Sequence, residues 1–313
     1  MELENAMSSP AEEAIADLRD SAKPLRNSRL VELSNLDSEE LGLLEQAWTA
    51  IEPKRRRQIV YRLVELGEDN VELNFDSIFK NCLKDQDAEV RCKAIEGLWE
   101  SEETSLINPL INLLEHDSSE KVQATTAIAL GKFAVLAEHE KLRSCHKSKI
   151  CQALFAVIDD KSKPVELRRH ALEAVSPLSL PRVNRAIMEA YQSSSPEFKV
   201  SAVYAMGKNC DPSWLPILLG ELANTDAEMR YEAVTACGEL GEEEATASVI
   251  KLVDDPDTDV QLAAIQALGK IGGSEAKSCL EECLHNPSEL IRQATEQTLQ
   301  ELATWEDPLA FKF

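Results

Sequence analysis

One pattern of apolar and small residues recurs along this chain with a period of 31 residues. Each copy opens with an apolar anchor, usually continues with Arg, Lys or Gln, and mostly carries small residues at the fourth and seventh positions after the anchor. Five consecutive copies begin at Leu167, Phe198, Met229, Val260 and Ile291, and two earlier ones at Val90 and Val122. A fixed period of this length predicts a solenoid, in which stacked units share one core.

An apolar segment bounded by turn residues precedes each copy, so every unit is predicted to be a helix, a turn and a second helix. Residues able to cap the second helix stand three positions before most anchors: Asp87, Ser119, Ser195, Asp226, Asp257 and Ser288. Glycines close four copies, and we expect them to form left-handed C-caps: Gly131, Gly207, Gly238 and Gly269. With a divergent first pair, the sequence predicts an all-α fold of about eight antiparallel helical hairpins.

The segments at the two ends depart from the repeat, which we expect to span residues 38–303. Residues 1–37 are polar and acidic with only a weak apolar rhythm, so we expect a flexible acidic arm. Residues 304–313 form an apolar tail that should cap the open core of the last unit, or else serve as a linear motif for a partner. Additional residues around 134–149 should lengthen the flanking helices or form a protruding loop.

Composition narrows the classes of function. Acidic residues outnumber basic residues 56 to 33, for a net charge of −23. Such a surface repels phosphate groups, so we expect no binding to nucleic acid or to an anionic membrane. No apolar run is long enough to span a bilayer, and the acidic start does not resemble a secretory signal. We therefore expect a cytoplasmic protein whose eight cysteines stay reduced.

The repeated pattern D-x-x-V-R-x-x-A-x-x-A-L-G, with its preceding apolar helix, resembles HEAT repeats, and the short period is similar to the HEAT-like repeats of phycobilisome lyases. The resemblance covers about residues 38–302. It implies a right-handed α-solenoid whose second helices line the concave face, and a scaffold or adaptor role. It also implies that the Arg after the anchor pairs with a turn Asp of the neighbouring unit, at Arg91, Arg168, Arg230 and Arg292.

Motifs for catalysis or metal binding are weak. His139, Cys145, His146 and Cys151 come nearest to a metal cluster, but their spacing matches no zinc finger or ribbon. Deoxyhypusine hydroxylases, built on similar repeats, hold two irons with several His-Glu dipeptides, whereas this chain has only His139-Glu140. No phosphate-binding loop or nucleophile elbow is present. We expect no enzyme activity, no metal and no cofactor.

Helical geometry predicts which side chains of the second helices face the groove. With the anchor at 0°, the second, third and sixth residues after it fall at about 200°, 300° and 240°, away from the core. In the middle and late units these positions hold apolar and tyrosine residues, as a protein-binding patch requires. The predicted partner-binding strip consists of Val200, Tyr204, Tyr231 and Leu262, edged by Arg169, His170 and Glu232. The alternative is a narrow groove in which these side chains pack on one another.

A dense run of basic residues lies on the second helix of the first hairpin: Lys54, Arg55, Arg56 and Arg57. It is either a solvated helix face or a docking patch for an acidic segment, which could be this chain's own arm. The sequence as a whole predicts a monomeric, non-catalytic scaffold or adaptor that binds a partner peptide or helix along the concave face. The alternative is an accessory or regulatory subunit of an enzyme, or a lyase-like enzyme acting on a bound cofactor.

Overall fold

The computed structural model describes residues 9–20 and 22–306, and every regular element in these ranges is helical. The chain divides into two compact units. Unit 1 comprises Met1–Phe133 and Leu142–Ala153, and unit 2 comprises Ala134–Lys141 and Leu154–Phe313. The predicted all-α fold is confirmed.

The helices from α3 onward follow one another as eight pairs within the described residues, as the repeat count predicted. In the first half of the chain they are α1 (Pro10–Arg19), α2 (Asn27–Leu30), α3 (Ser38–Trp48), α4 (Pro53–Asp69), α5 (Asp76–Cys82), α6 (Ala88–Gly97), α7 (Ile107–His116), α8 (Glu120–Glu138) and α9 (Ser144–Asp159). In the second half they are α10 (Val165–Val175), α11 (Pro181–Tyr191), α12 (Pro196–Asn209), α13 (Leu215–Glu221), α14 (Ala227–Leu240), α15 (Thr246–Val249), α16 (Thr258–Ile271), α17 (Gly273–Cys283) and α18 (Glu289–Glu306).

The second helices of unit 2 pack side by side in chain order, from α10 through α12, α14 and α16 to α18. The first helices α11, α13 and α17 each pack against the second helix that follows them. All five anchors of the periodic copies are buried: Leu167, Phe198, Met229, Val260 and Ile291. The core therefore lies between neighbouring helical pairs, because the apolar face of each helix packs against the next pair.

The predicted helix caps are present in five second helices. Side-chain oxygens accept hydrogen bonds from first-turn backbone N–H groups of α6, α8, α12, α14 and α16, and the capping residues are Asp87, Ser119, Ser195, Asp226 and Asp257. Each such bond satisfies a donor that the helix itself leaves free and contributes about 1 kcal/mol.

The arginine ladder implied by the family pattern is partly present. The guanidinium of Arg91 forms two hydrogen bonds of 2.7 Å with the carboxylate of Asp117, and Arg230 forms two of 2.8 Å with Asp255. Each of these two ion pairs joins the second helix of one helical pair to the turn between the two helices of the next. Arg168 departs from the pattern, because its Nε donates to the carbonyl oxygen of Ile158 instead. Arg292 also departs, pairing with residues of its own turn, Asn286 and Glu289.

The glycines at the ends of the copies are not C-caps, contrary to the expectation. Gly207, Gly238 and Gly269 lie inside α12, α14 and α16 and face the next second helix. A Cβ on Gly238 would lie 2.8 Å from the Cα of Ala267, and one on Gly207 would lie 2.7 Å from the Cα of Ala236. The left-handed residues come later, at Cys210 and Gly241. These glycines serve close helix approach, since only a residue without a side chain fits there.

The described part of residues 1–37 is ordered, which corrects the expectation of a flexible arm. A capping box formed by Ser9 and Glu12 opens α1, and Ala14, Ile15 and Leu18 of this helix are buried. The helix packs against α3, so the weak apolar rhythm of this segment is enough to form one buried face.

The additional residues around 134–149 belong mostly to the two flanking helices, α8 and α9, which are 19 and 16 residues long. The last helix ends at Glu306, three residues beyond the predicted end of the repeat. The remaining part of the predicted cap, residues 307–313, lies outside the described residues, as does the side chain of Trp305.

Candidate partner-binding site

The predicted strip and its edge residues lie on four neighbouring second helices of unit 2, α10, α12, α14 and α16, and the structure places two of them, Tyr231 and Leu262, in one groove. Tyr231 on α14 is 39% exposed, and Leu262 on α16 is half-buried beside it. Both line a shallow groove of about 500 Å³ between α14 and α16. The remaining lining residues are Ala227, Glu228, Asp257, Asp259, Ala263 and Gln266. The groove thus combines an aromatic anchor point with a rim of three carboxylates.

Val200 does not belong to this surface. Its side chain is only 6% exposed, because α12 lies between α10 and α14 and these neighbours cover the face of α12 that carries Val200. Tyr204, one turn further along α12, is half-buried, and burial raises the pKa of its hydroxyl. Val200 therefore packs against its neighbours, as the alternative of a narrow groove predicted. Tyr231 remains exposed and available to a partner.

The basic edge of the strip is neutralised within α10. Glu166 accepts hydrogen bonds from the guanidinium of Arg169 at 2.7 Å and lies 2.9 Å from Nε2 of His170. Nδ1 of His170 lies 3.0 Å from Glu173, and this contact raises the pKa of the imidazole despite its partial burial. Ser201 of α12 donates to the other oxygen of Glu173 at 2.5 Å. The cluster ties α10 to α12 and leaves no free cation at this edge among these described residues.

Glu232 sits where the strip passes from α12 to α14. Burial, together with the nearby carboxylates of Glu173 and Glu228, raises its pKa to about 7. Lys208 on α12 opposes this effect only weakly. A carboxyl with this pKa changes its charge near neutral pH, so the charge of the strip itself depends on pH.

The basic run on α4 is not an exposed docking patch, which corrects that hypothesis. Arg55 and Arg56 are buried. Nε of Arg55 donates to the carbonyl oxygen of Leu18 at 2.7 Å, at the C-terminal end of α1. Arg56 forms a two-pronged pair with Asp85 at 2.8 and 3.1 Å.

The other two residues of the run are exposed. Arg57 forms a two-pronged pair with the two carboxylate oxygens of Asp87 at 2.6 and 3.0 Å, and Lys54 extends from the first turn of α4. The run thus does hold the chain's own N-terminal helix, as one alternative suggested, but through backbone carbonyls. It also supplies the Arg56 rung of the arginine ladder, which the sequence interpretation did not recognise.

Metal binding and membrane spanning are the other two properties that the described residues allow us to examine. Within them, no group of three or more His, Cys, Asp or Glu side chains is arranged to hold a metal ion. Cys145 is exposed and Cys151 half-buried, and Nδ1 of His146 is buried without a hydrogen-bond partner. None of the helices described is both long enough and apolar enough to cross a membrane.

Sequence comparison identifies the family. The model of HEAT repeats matches residues 76–150 and 215–300, which together make up just over half of the chain. The protein belongs to the HEAT repeat family. No curated protein sequence matches it.

Two solved structures share the fold, each with a TM-score of 0.52. The complex of CpcE and CpcF of phycocyanin lyase from Nostoc sp. PCC7120 is similar at 15% identity, over 96% of this chain and 98% of that chain. A structure of Kap95p bound to RanGDP is similar at 12% identity, over 95% of this chain and 46% of that chain. The fold is thus an all-α repeat fold of the α-solenoid class.

Several residues of the site were missed by the sequence interpretation as binding candidates, and two acids among them, Glu228 and Glu173, show why. Glu228 belongs to the groove, and Glu173 holds both His170 and Ser201. A signal for Glu173 was present, because it stands at the sixth position after its anchor, among the groove-facing residues. Glu228 directly precedes an anchor and could not be assigned to the groove without the position of α16.

Proposed function

We propose that this HEAT repeat protein is a non-catalytic scaffold that binds a segment of another protein in the groove of α14 and α16. The observation that carries the proposal is Tyr231, a large side chain exposed in a groove on a rigid helix. Tyrosine is enriched at binding hot spots, because its large rigid ring has few rotamers to lose on binding. Leu262 beside it extends the apolar contact area.

The groove also indicates the chemistry of the partner. Its described lining includes the carboxylates of Glu228, Asp257 and Asp259 and no basic side chain. An apolar anchor flanked by Lys or Arg would satisfy both the ring and the rim. A nucleic-acid strand would be repelled by the same carboxylates, so the partner is a protein segment.

The similar structures support a protein partner. CpcE is described in a complex with CpcF, and Kap95p is described bound to RanGDP. The lyase relationship also keeps a second function open, an accessory subunit of an enzyme or a lyase-like enzyme acting on a bound cofactor. A chromophore or cofactor purified with the protein would favour that second function. We propose further that the protein is a monomer and acts in the cytoplasm.

The test is substitution of Tyr231 by Ser, with Tyr61→Ser as the matched control. Tyr61 is an exposed tyrosine at 44%, on α4 of unit 1. Partners are captured from the native cell extract with each variant, and the affinity of the main partner is then measured with purified protein. Tyr231→Ser should weaken binding by about thirtyfold, the effect of a hot-spot residue. Its free energy of unfolding should change by no more than about 0.5 kcal/mol.

If capture of the partner were unchanged by Tyr231→Ser but lost in Tyr61→Ser, the binding surface would lie in unit 1 and the proposal would be wrong. A large loss of stability in Tyr231→Ser would instead support the packing alternative, in which the ring belongs to the core.

A further inference from the structure

A second groove lies in unit 1, on residues that the predicted strip does not include. Its volume is about 560 Å³, and it is lined by the ends of α4 and α6, the loop before α5 and the loop after α6. Two of its lining residues are among the most exposed large apolar residues described, Trp99 at 61% and Val71 at 86%. Tryptophan is highly buried on average, so an indole in this position needs a reason.

The floor of this groove is apolar and closely packed. Phe75 and Phe79 are both buried, and their rings meet edge to face with centroids 6.3 Å apart. Gly97 lies against the ring of Phe79, where an added Cβ would come within 2.6 Å. The groove therefore has a rigid aromatic base with Trp99 and Val71 standing at its edges.

The loop that carries Trp99 is held in place by one lysine. Nζ of Lys132 on α8 donates hydrogen bonds to the carbonyl oxygens of Leu98 at 3.1 Å and of Trp99 at 2.6 Å, and also to that of Ser101. Burial lowers the pKa of this ammonium, so the lysine is committed to the loop at some desolvation cost. An exposed side chain on a fixed backbone loses little conformational entropy on binding, as an interface anchor should.

The rim of the groove is acidic. Glu68, Asp76, Glu96 and Glu100 line it, and no basic side chain is among the lining residues described. Only Glu96 has an ion pair of its own there, with Lys93 at 2.9 Å. The other carboxylates are available to attract a cation, although Lys132 below the loop weakens the field of Asp76 and Glu100.

We propose that this Trp99 groove is a second docking surface, which takes a basic amphipathic segment of another protein. The apolar face of the segment, carrying leucine or a similar aliphatic residue, would fill the space between Trp99 and Val71. Its Lys or Arg residues would reach the carboxylates of the rim, such as Glu68 and Glu100. A second copy of this chain is a poor occupant, because each copy carries a net charge of −23.

The experiment uses a synthetic amphipathic helical peptide of leucine and lysine with all leucines on one face. Its binding to the whole 313-residue chain is measured by titration calorimetry and by the shift of tryptophan emission. A peptide of the same composition in scrambled order controls for general attraction to an acidic protein. The protein variants are Trp99→Ala and Val71→Ser, both at exposed positions where folding should tolerate the change.

Ile128→Ala is the matched control, since Ile128 is also exposed, at 46%, but does not line the groove. We expect the ordered peptide to bind the wild type and Ile128→Ala equally, and Trp99→Ala and Val71→Ser at least about tenfold more weakly. Emission should shift to shorter wavelength on binding, because the exposed indole of Trp99 becomes covered. The Tyr231→Ser variant should keep the full shift of tryptophan emission on peptide addition, because Trp99 lies in the other groove.

Three outcomes would overturn the proposal: no binding to the wild type, equal binding of the scrambled peptide, or equal binding to Trp99→Ala. Loss of peptide binding in Tyr231→Ser alone would assign the peptide to the groove of unit 2. Since partner capture through Tyr231 is measured separately, failure of the Trp99 groove would leave that result unaffected.

Discussion

The carboxyl of Glu232 is the residue whose chemistry most clearly departs from that of a surface glutamate. It is half-buried on α14 beside two other acids, Glu173 and Glu228, and its pKa is raised to about 7. In the unfolded chain a glutamate has its ordinary value near 4.5. The folded protein therefore holds a proton that the unfolded chain has already released at intermediate pH, so stability must depend on pH there.

We expect the wild type to lose stability as pH rises from about 4.5 to about 8, compared with Glu232→Gln. The sign follows from the raised pKa: the favourable contribution is complete below the unfolded value and is lost as pH rises through the folded value. Discounted for the partial exposure of the group, the difference should reach about 1–2 kcal/mol. Urea unfolding of both proteins at pH 5 and pH 8 measures it.

Glu244→Gln is the control for the loss of an acidic side chain, since Glu244 is exposed outside the strip. If Glu232→Gln were less stable than the wild type at pH 8, the charged carboxylate would be making a favourable contact, and burial would not be its dominant environment.

Among the helices, close approach depends on glycine. α14 and α16 come so near at Gly238 that a Cβ there would lie 2.8 Å from the Cα of Ala267. A backbone atom cannot move away as the end of a flexible side chain can, so the two helices would have to separate. Such separation would also widen the groove that contains Tyr231 and Leu262, because the same two helices form its walls.

We expect Gly238→Ala to destabilise the protein by about 1–3 kcal/mol, the usual cost of overpacking. Gly220→Ala is the matched control, because Gly220 lies in α13 and a Cβ there would meet nothing within 4 Å. It should instead stabilise by up to about 1 kcal/mol, since alanine is the better helix former. Chemical denaturation measures the change in the free energy of unfolding for both variants. Equal changes in the two would show that helix propensity alone, and not the close approach of α14 and α16, determines the effect.

The comparison of these elements with the sequence shows what a periodic pattern can predict. Caps such as Asp226 were predicted correctly, because a cap acts on backbone atoms two or three residues away. The role of Gly238 was wrong, because it depends on a helix 29 residues further on. Arg56 was missed for the same reason, although its partner Asp85 stands two residues before a cap, as Asp117 and Asp255 do.

The candidate site shows the same limit. Facing angles on one helix selected Tyr231 and Leu262, which do line a groove, but the same angles also selected Val200, which neighbouring helices cover. The Trp99 groove escaped the pattern entirely, because Trp99 stands nine residues after its anchor and Val71 lies in a loop. The repeat period and the facing angle of a residue describe a single helix, whereas the shape of a groove depends on how neighbouring helices pack.

At the scale of the whole molecule, the excess of acid is the dominant electrostatic fact. The chain carries 56 acidic and 33 basic residues, and some of its arginines are committed to internal pairs. The buried pairs, such as Arg91 with Asp117, are little affected by dissolved salt. The unbalanced carboxylates repel one another across the surface, and this repulsion is screened readily.

We therefore expect the melting temperature to rise by a few degrees between about 10 mM and about 200 mM NaCl, over which the screening length falls from about 30 Å to about 7 Å. Exposed pairs such as Lys121 with Glu89 weaken at the same time, but each is worth at most about 1 kcal/mol. Differential scanning calorimetry in NaCl and in NaBr separates screening, which both salts provide equally, from ion-specific effects. A melting temperature that falls in both salts would mean that surface ion pairs outweigh the repulsion among the excess carboxylates, and the acidic rims of the two grooves would then attract a cation only weakly.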